Sequence, residues 1–493
     1  MATQTTAAPV VERRLFWGLK WTGSQIGWQL LTKLVRALVL PKFLSPAAYG
    51  LYASLRLPLS YKNYTDIGVR YQLIKQLPQV RSQQGAAAFE SVASTGGAWM
   101  MLTAVAYSLV LFVLALRQRG PHAWFYRPGF EILGFVLLFS KLEDFLGIRA
   151  NSLEDFRQSG VAGMWRDTAG LVASIVLVIL MGPIGPVVGI CVGEALCVYY
   201  YLRRGSLRWL RLQLSGLGGI LRGSIPLFAI ALLDTALLTL DQLFVLAFLS
   251  KAQFGIYALG GFVATILLAI SGVFLIIQPR LMRLEAESRP RESREVMEAA
   301  LLLYLLLAVL AIVATVPAIS LGVLLYLPKY RLGIPVYALF SALAILRGSG
   351  ILLRPFFIAR NQEAPFLRIE VSGVGVALLL NGLAWWMGAG LAGYCLASLG
   401  TYAVTMALML FAFERQRLAA CRRGKYLFTV LGLGIVAAFY FALRRAFLPG
   451  ILLADIARLL LPAGIALLLL LSAAWLYRAQ IQSAYRLFMR EAV

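Results

Sequence analysis

The stretch FLSPAAYGLYA, Phe43 to Ala53, returns as FLSKAQFGIYA, Phe248 to Ala258, and the pair decides how the rest of the chain is read. Seven of the eleven positions are identical, and Tyr49/Phe254 and Leu51/Ile256 are close exchanges. Serine, glycine and, in the first copy, proline punctuate a short turn, and tyrosines suit a membrane interface. Nothing in the motif requires a ligand. Its value is as a ruler, because the distance between the copies measures a repeat.

The material between the copies is apolar. Of 493 residues, 60% are hydrophobic and 14% charged, and the mean hydropathy is clearly positive, outside the range of soluble domains. Counting about twenty apolar residues per crossing predicts spans near 17–39, 48–68, 86–116, 130–148, 161–181 and 184–202. A second set follows near 224–247, 253–279, 299–327, 334–358, 366–387 and 391–413, and a last pair near 426–443 and 451–476. The chain reads as an all-α polytopic membrane protein with about fourteen transmembrane helices. The opening residues, MATQTTAAPVVERRLFWGLKW, lack an apolar core and a small-residue cleavage site, so no removable signal peptide is expected.

A net charge of +24 would suggest nucleic acid in a soluble protein, but here the distribution matters more than the sum. With the N-terminus inside, about 27 of the 46 Lys and Arg fall in inner segments and about 9 in outer loops. Both termini are then expected in the cytoplasm. The inner clusters RRGSLRWLRLQL from Arg203, PRLMRLEAESRPRESREV from Pro279 and ERQRLAACRRGK from Glu414 suit topology and anionic-lipid contact. No nucleic-acid partner is expected. Cys191, Cys197, Cys395 and Cys421 lack CxxC spacing and read as small packing residues. The single histidine, His122, falls in an outer loop, so no histidine metal site is expected in the bilayer.

The two motif copies precede the second and the eighth span. An even number of crossings separates them, which makes a parallel repeat of two similar lobes. A second pair keeps nearly the same offset: Met181-Gly182 ends the fifth span and Met387-Gly388 the eleventh, each followed by a Gly-rich turn, GPIGPVVG and GAGLAG. The expected organisation is an N-terminal lobe over 1–202, a linker over 203–223, a C-terminal lobe over 224–413, and a basic loop with two further helices over 414–493. The linker's leucines at helical spacing suit an amphipathic helix on the inner surface.

Charge inside the spans is the other informative feature. Each Lys or Arg at a helix centre facing lipid costs on the order of 2.5–3.5 kcal/mol, so such residues face a wet cavity, pair, or lie near an interface. Gln25, Gln29, Lys33 and Arg36 form one helical stripe, and Arg56, Ser60, Asn63 and Arg70 another, with Asp66 able to reach Lys62 one turn away. Arg347 and Arg354 are seven apart, as are Asp234 and Asp241. Lys33, Arg36 and Arg347 are assigned to a cavity. Arg70, Arg149 and Arg354 either line it or snorkel to the inner interface, and Arg166-Asp167 and Lys141 with Glu143 or Asp144 read as pairs between helices. The repeat offset carries Arg36 onto Asp241, so equivalent places in the lobes hold opposite charges, a pairing that a charge-swapped double mutant would test.

Several stretches carry a family resemblance. LVRALVLPKFLSPAAYGLYA, TDIGVRYQLIKQL, LDQLFVLAFLSKAQFGIYALG, IIQPRLMRL, RNQEAPFLRIEV and LLLNGLAWWMGAGLAGYCLASLGTY, in that order, resemble the polysaccharide-repeat-unit flippases, the O-antigen and exopolysaccharide transporters of the multidrug/oligosaccharidyl-lipid/polysaccharide export superfamily. The resemblance covers most of the first twelve spans. It implies two six-helix lobes in a V around a cationic cavity that opens alternately to cytoplasm and periplasm of a bacterial inner membrane. It implies as cargo an undecaprenyl-pyrophosphate-linked oligosaccharide, with polysaccharide polymerase and export proteins as possible partners beside membrane lipids. The substrate-cavity candidates are Lys33, Arg36, Arg56, Lys62, Arg166, Arg347 and Arg354. Asp66, Glu194, Asp234 and Asp241 are candidates for ion coupling or charge balance. No cofactor is expected, and coupling to sodium ion, proton or membrane potential stays open.

Fourteen spans suit the related peptidoglycan-precursor flippases as well. A cation-coupled multidrug antiporter would rely on acidic residues in the first lobe, where the first span offers Lys33 and Arg36 instead. A membrane glycosyltransferase or polymerase would need a large outer loop or an acidic base on the first outer loop, and PKFLSPAA has neither. No enzymatic activity is expected.

Overall fold

The computed structural model describes residues 8–204, 216–274, 277–360 and 362–415. Most of the 203–223 linker, Cys421 and the expected spans near 426–443 and 451–476 lie outside the described residues. Within them the chain is helical: α1 (Ala8–Phe43), α2 (Pro46–Ser60), α3 (Val69–Arg117), α4 (Ala123–Ser152), α5 (Phe156–Met181), α6 (Gly185–Arg203), α7 (Leu217–Phe248), α8 (Lys251–Phe274), α9 (Gln278–Ala286), α10 (Pro290–Tyr326), α11 (Ile334–Ala359), α12 (Glu363–Trp386) and α13 (Leu391–Glu414). Residues 217–223, expected in the linker, form the start of α7.

Eight stretches among the described residues are long and apolar enough to cross a membrane. The helices below that threshold include α1, α2 and α4, the last of which carries Lys141, Glu143 and Asp144. Compact packing divides the chain into two units, Met1–Thr235 and Ala236 onward, with the boundary inside α7.

The repeat is visible in each unit taken alone. In the first, α5 packs on α6, α3 on α4, α4 on α6 and α2 on α4. In the second, α12 packs on α13, α10 on α11, α11 on α13 and α8 on α11. The motif copies hold equivalent roles: Ser45 accepts a hydrogen bond from the Ala48 amide at 3.2 Å at the start of α2, and Ser250 accepts one from the Gln253 amide at 3.3 Å at the start of α8. Serine at these positions satisfies an amide that the first helical turn leaves unpaired. Tyr49/Phe254, Leu51/Ile256 and Tyr52/Tyr257 are all buried. The tyrosines of the motif are therefore packing residues rather than interface anchors. Gly182 (φ 61°) and Gly388 (φ 62°) close the turns after α5 and α12, each with a positive φ that glycine adopts at little steric cost.

One expected span is broken. The sequence predicts a helix over 48–68, but α2 ends at Ser60 and a 3-10 turn covers Lys62–Tyr64. Ile67 (φ 54°) and Gly68 (φ 76°) then turn left-handed before α3 begins. A Cβ on Gly68 would come within 2.9 Å of the Ser224 carbonyl and the Phe228 Cβ, so the position demands glycine for both backbone and space. The turn is fastened to the first half of α7, where Ser224 Oγ donates to the Ile67 carbonyl at 2.7 Å. A second break, at Gly85 (φ 86°), separates the first part of α3 from its membrane-crossing part.

Candidate substrate-binding site

The broken turn places Asp66 inside the first unit. The Gly68 amide donates to Asp66 Oδ1 at 3.0 Å, the Trp99 indole to its carbonyl at 3.0 Å, and Lys141 Nζ to Oδ2 at 2.5 Å. Both side chains of this ion pair are 0% exposed. The expected pairing of Asp66 with Lys62 is thus replaced, because the left-handed residues destroy the helical register that would have stacked them. Lys62 instead donates to Ser140 Oγ and lies 3.8 Å from Asp144 Oδ2. Asp144 also pairs with Arg70 at 3.1 Å. Arg70 belongs to α3, so the expected stripe from Arg56 to Arg70 does not exist as one helix face.

Lys141 likewise does not pair with Glu143 or Asp144. Successive helical residues are about 100° apart, and SKLED distributes its charges to different neighbours. Arg166 on α5 takes Glu143, from Nη1 to Oε1 at 3.1 Å, and its own neighbour Asp167, from Nε to Oδ1 at 3.1 Å. Arg149 pairs with Glu90 at 2.6 Å.

The remaining candidates stand in different settings. Arg36 on α1 approaches α5 where the chain has Gly170, so a Cβ there would sit 3.3 Å from Arg36 Nη2. Its buried Nε has no hydrogen-bond partner among the described residues, and neither has Glu194 Oε2. Lys33 is half-buried; Arg56 is exposed, with its guanidinium 5.8 Å from the Tyr52 ring centre. In the second unit, Asp241 is buried and accepts hydrogen bonds from Tyr257 Oη at 2.7 Å, Ser398 Oγ at 2.9 Å and the Gln242 amide at 2.7 Å. Asp234 is half-buried. Arg347 keeps a buried Nε without a partner among the described residues, and Arg354 lies 5.7 Å from the Phe366 ring centre.

The first unit also forms a half-open cavity of about 510 Å³ between α1, α3, α4, α5 and α6. Arg70, Glu143, Asp144 and Arg166 give it charge, and Gln25, Gln29, Asn151, Ser152, Ser159 and Tyr201 give it hydrogen-bonding groups. Sequence reading named Arg166 but did not single out Asn151, Ser159 or Tyr201. The available signal was the polar stripe on α1, whose two glutamines reach the cavity while Lys33 and Arg36 continue beyond it. No group of His, Cys, Asp and Glu suited to a metal occurs among the described residues.

The whole architecture has solved counterparts. A structure titled lipid II flippase MurJ, in an inward closed conformation, superposes with a TM-score of 0.69 at 11% identity, over 94% of this chain and 100% of the other. An inward-facing multidrug resistance MATE family transporter of the MOP superfamily gives 0.56 at 13% identity, over 80% and 94%. This is the fold of the MOP superfamily. A third MOP-superfamily transporter, from Pyrococcus furiosus and titled for a binding pocket of reversed polarity, gives 0.53 at 11% identity over 81% and 94%. No family model matches the sequence, and no curated protein does. With identities this low, the MOP fold is what the likeness establishes.

Proposed function

We propose that this MOP-fold chain is a flippase that carries a polyprenyl-pyrophosphate-linked oligosaccharide repeat unit from the cytoplasmic to the periplasmic leaflet, for cell-surface polysaccharide synthesis. The observation that carries the reading is Arg36, held inside the first unit with a buried Nε that has no partner among the described residues, next to a half-buried Lys33 one turn away on the same helix. A diphosphate entering bare hydrocarbon pays a prohibitive desolvation cost, and guanidinium groups on the path offset it with bidentate, charge-assisted hydrogen bonds. A cationic drug would meet the same groups as a barrier, which weighs against a multidrug antiporter. In this reading the protein is not an enzyme, works in the inner membrane by alternating access, and supplies a polymerase and export proteins with flipped units.

Asp66, tied to Lys141, serves charge balance. Glu194, with an unpartnered carboxylate oxygen, is the better candidate for ion coupling. A second reading, a peptidoglycan-precursor flippase, is favoured by the match along the full length of the lipid II flippase; both cargoes share the polyprenyl diphosphate. Removing the protein from its host should make complete lipid-linked repeat units accumulate on the cytoplasmic leaflet, with peptidoglycan precursors unaffected. Arg36→Ala should reproduce the defect and Arg36→Lys should restore only part of it. Accumulation of lipid II would instead select the second reading, and accumulation on the outer leaflet would overturn both.

A further inference from the structure

The 510 Å³ cavity of the first unit differs from what a diphosphate site requires. Its two arginines are already matched by its two carboxylates, Arg70 with Asp144 at 3.1 Å and Arg166 with Glu143 at 3.1 Å. An anion placed there would compete with an existing carboxylate for each guanidinium, and would meet two negative groups at short range. A cation faces the mirror-image obstacle. The hydrogen-bonding groups are not spent in the same way. Ser159 Oγ donates to Asn151 Oδ1 at 2.7 Å, which leaves the Asn151 amide NH₂ free to donate elsewhere. The amide of Gln25 lies over Gly163, where any Cβ would collide with it, so α5 leaves room for that amide. Ile74 and Pro78 on α3 add an apolar wall.

We infer that this cavity binds neutral, hydroxyl-rich sugar rings, taking the glycan end of the cargo while the diphosphate stays on cations outside it. Paired ions and amides present donors and acceptors in balance, and Ile74 and Pro78 supply an apolar face, which is what a pyranose offers in return. The volume falls inside the range of small-molecule pockets, roughly 300–1,000 Å³, and accommodates a short oligosaccharide. The inference rests on the flippase reading for its cargo but not for the binding itself.

The test uses the purified full chain in lipid nanodiscs, with maltose, N,N′-diacetylchitobiose, digalacturonate and inorganic pyrophosphate as probes, read by titration calorimetry and saturation-transfer NMR. At least one neutral disaccharide should bind, and digalacturonate and pyrophosphate should not displace it. Gln29→Ala combined with Asn151→Ala, at positions that are not fully buried, should weaken binding on the order of tenfold. Gly147→Leu should abolish binding, since Gly147 lines the cavity and its Cβ would stand 3.6 Å from the Tyr201 hydroxyl with no closer contact. Failure of both neutral disaccharides to bind, binding unchanged in both variants, or displacement by pyrophosphate would overturn the inference. Lipid translocation without sugar binding would leave the flippase reading standing and remove this one. Sugar binding in a chain that translocates no lipid would do the reverse.

Discussion

The two units share a helix plan and differ in what fills it. Equivalent helix pairs pack in both, and the same serines and glycines stand at the same turns. Yet the first unit holds Asp66–Lys141, Arg70–Asp144–Lys62 and Glu143–Arg166–Asp167, whereas the second, besides ion pairs such as Arg294–Glu298 and Arg360–Glu285, holds the buried Asp241 with the hydroxyls of Tyr257 and Ser398. Its α11 is buried along most of one continuous apolar stretch, Ile334 to Leu346. A carboxylate held by neutral donors and one held by an ammonium respond differently to damage. Losing a hydroxyl leaves a charge less well solvated, while losing the ammonium leaves a buried charge with no counter-ion. The duplicated scaffold thus holds a buried carboxylate in two ways, with a counter-ion in one half and with neutral donors in the other.

That contrast sets the largest expected effect. Lys141→Ala should destabilise the protein by about 3–5 kcal/mol, because it leaves the Asp66 carboxyl, 0% exposed, without its counter-ion. Ser398→Ala should cost less, about 1.5–3 kcal/mol, since Tyr257 still donates to Asp241. Thermal unfolding in detergent followed by intrinsic fluorescence ranks the two. The double variant Asp66→Leu with Lys141→Met should regain most of the stability lost by Lys141→Ala, since no charge is left stranded. A larger loss from Ser398→Ala than from Lys141→Ala would mean that the second unit, not the first, depends on its polar interior.

The same contrast marks what the sequence made legible. The repeat was readable because FLSxAxxGxYA and the Met-Gly turns are local signals, each set by one helix end. Fold class and most span positions followed from hydropathy alone. The ion partners were not readable, because a partner chosen across 75 residues, as Lys141 is for Asp66, leaves no trace in helical spacing. Lys62 has one physical reason to depart from its expected partner: hydropathy places TDIG at 65–68 at the end of a span, while Ile67 and Gly68 turn left-handed ahead of a new helix. A glycine two residues after an acidic one near a span's end is the hint that the sequence offers. For the cavity, the α1 glutamines were visible as a stripe, but Asn151 and Ser159 sit at a turn whose geometry hydropathy cannot supply.

Where the units are alike, equal damage is expected. At both Gly182 and Gly388 an added Cβ would meet nothing within 4 Å, so Gly→Ala at either position costs only the positive-φ backbone, on the order of 1–3 kcal/mol. Matched shifts of the unfolding midpoint for Gly182→Ala and Gly388→Ala would establish that the two turns do the same structural work. A shift several times larger at one of them would mean that one turn has acquired a second task.

The smallest effect probes the motif pair itself. Ser45→Ala and Ser250→Ala each remove one helix cap, about 0.5–2 kcal/mol, but the copies are not wired identically. Around Ser250 the bonding is reciprocal: Gln253 Oε1 accepts from the Ser250 amide and from its hydroxyl, both at 3.1 Å, and the Gln253 amide returns a bond to Ser250 Oγ. The first copy has Ala48 in place of that glutamine and Pro46 opening its helix. Proline pre-sets the backbone angle of the first turn, so copy one stabilises by stiffness where copy two uses a capping box. Gln253→Ala should therefore cost about 0.5 kcal/mol, and Pro46→Ala a similar amount, through loss of chain stiffness. The two variants should separate by method. Hydrogen exchange at the 251–253 amides should rise in Gln253→Ala because a native bond is lost, while the amides at the start of α2 in Pro46→Ala should change only as far as global stability does. Equal local exchange in both would mean that the copies hold their helices in the same way, despite their different residues.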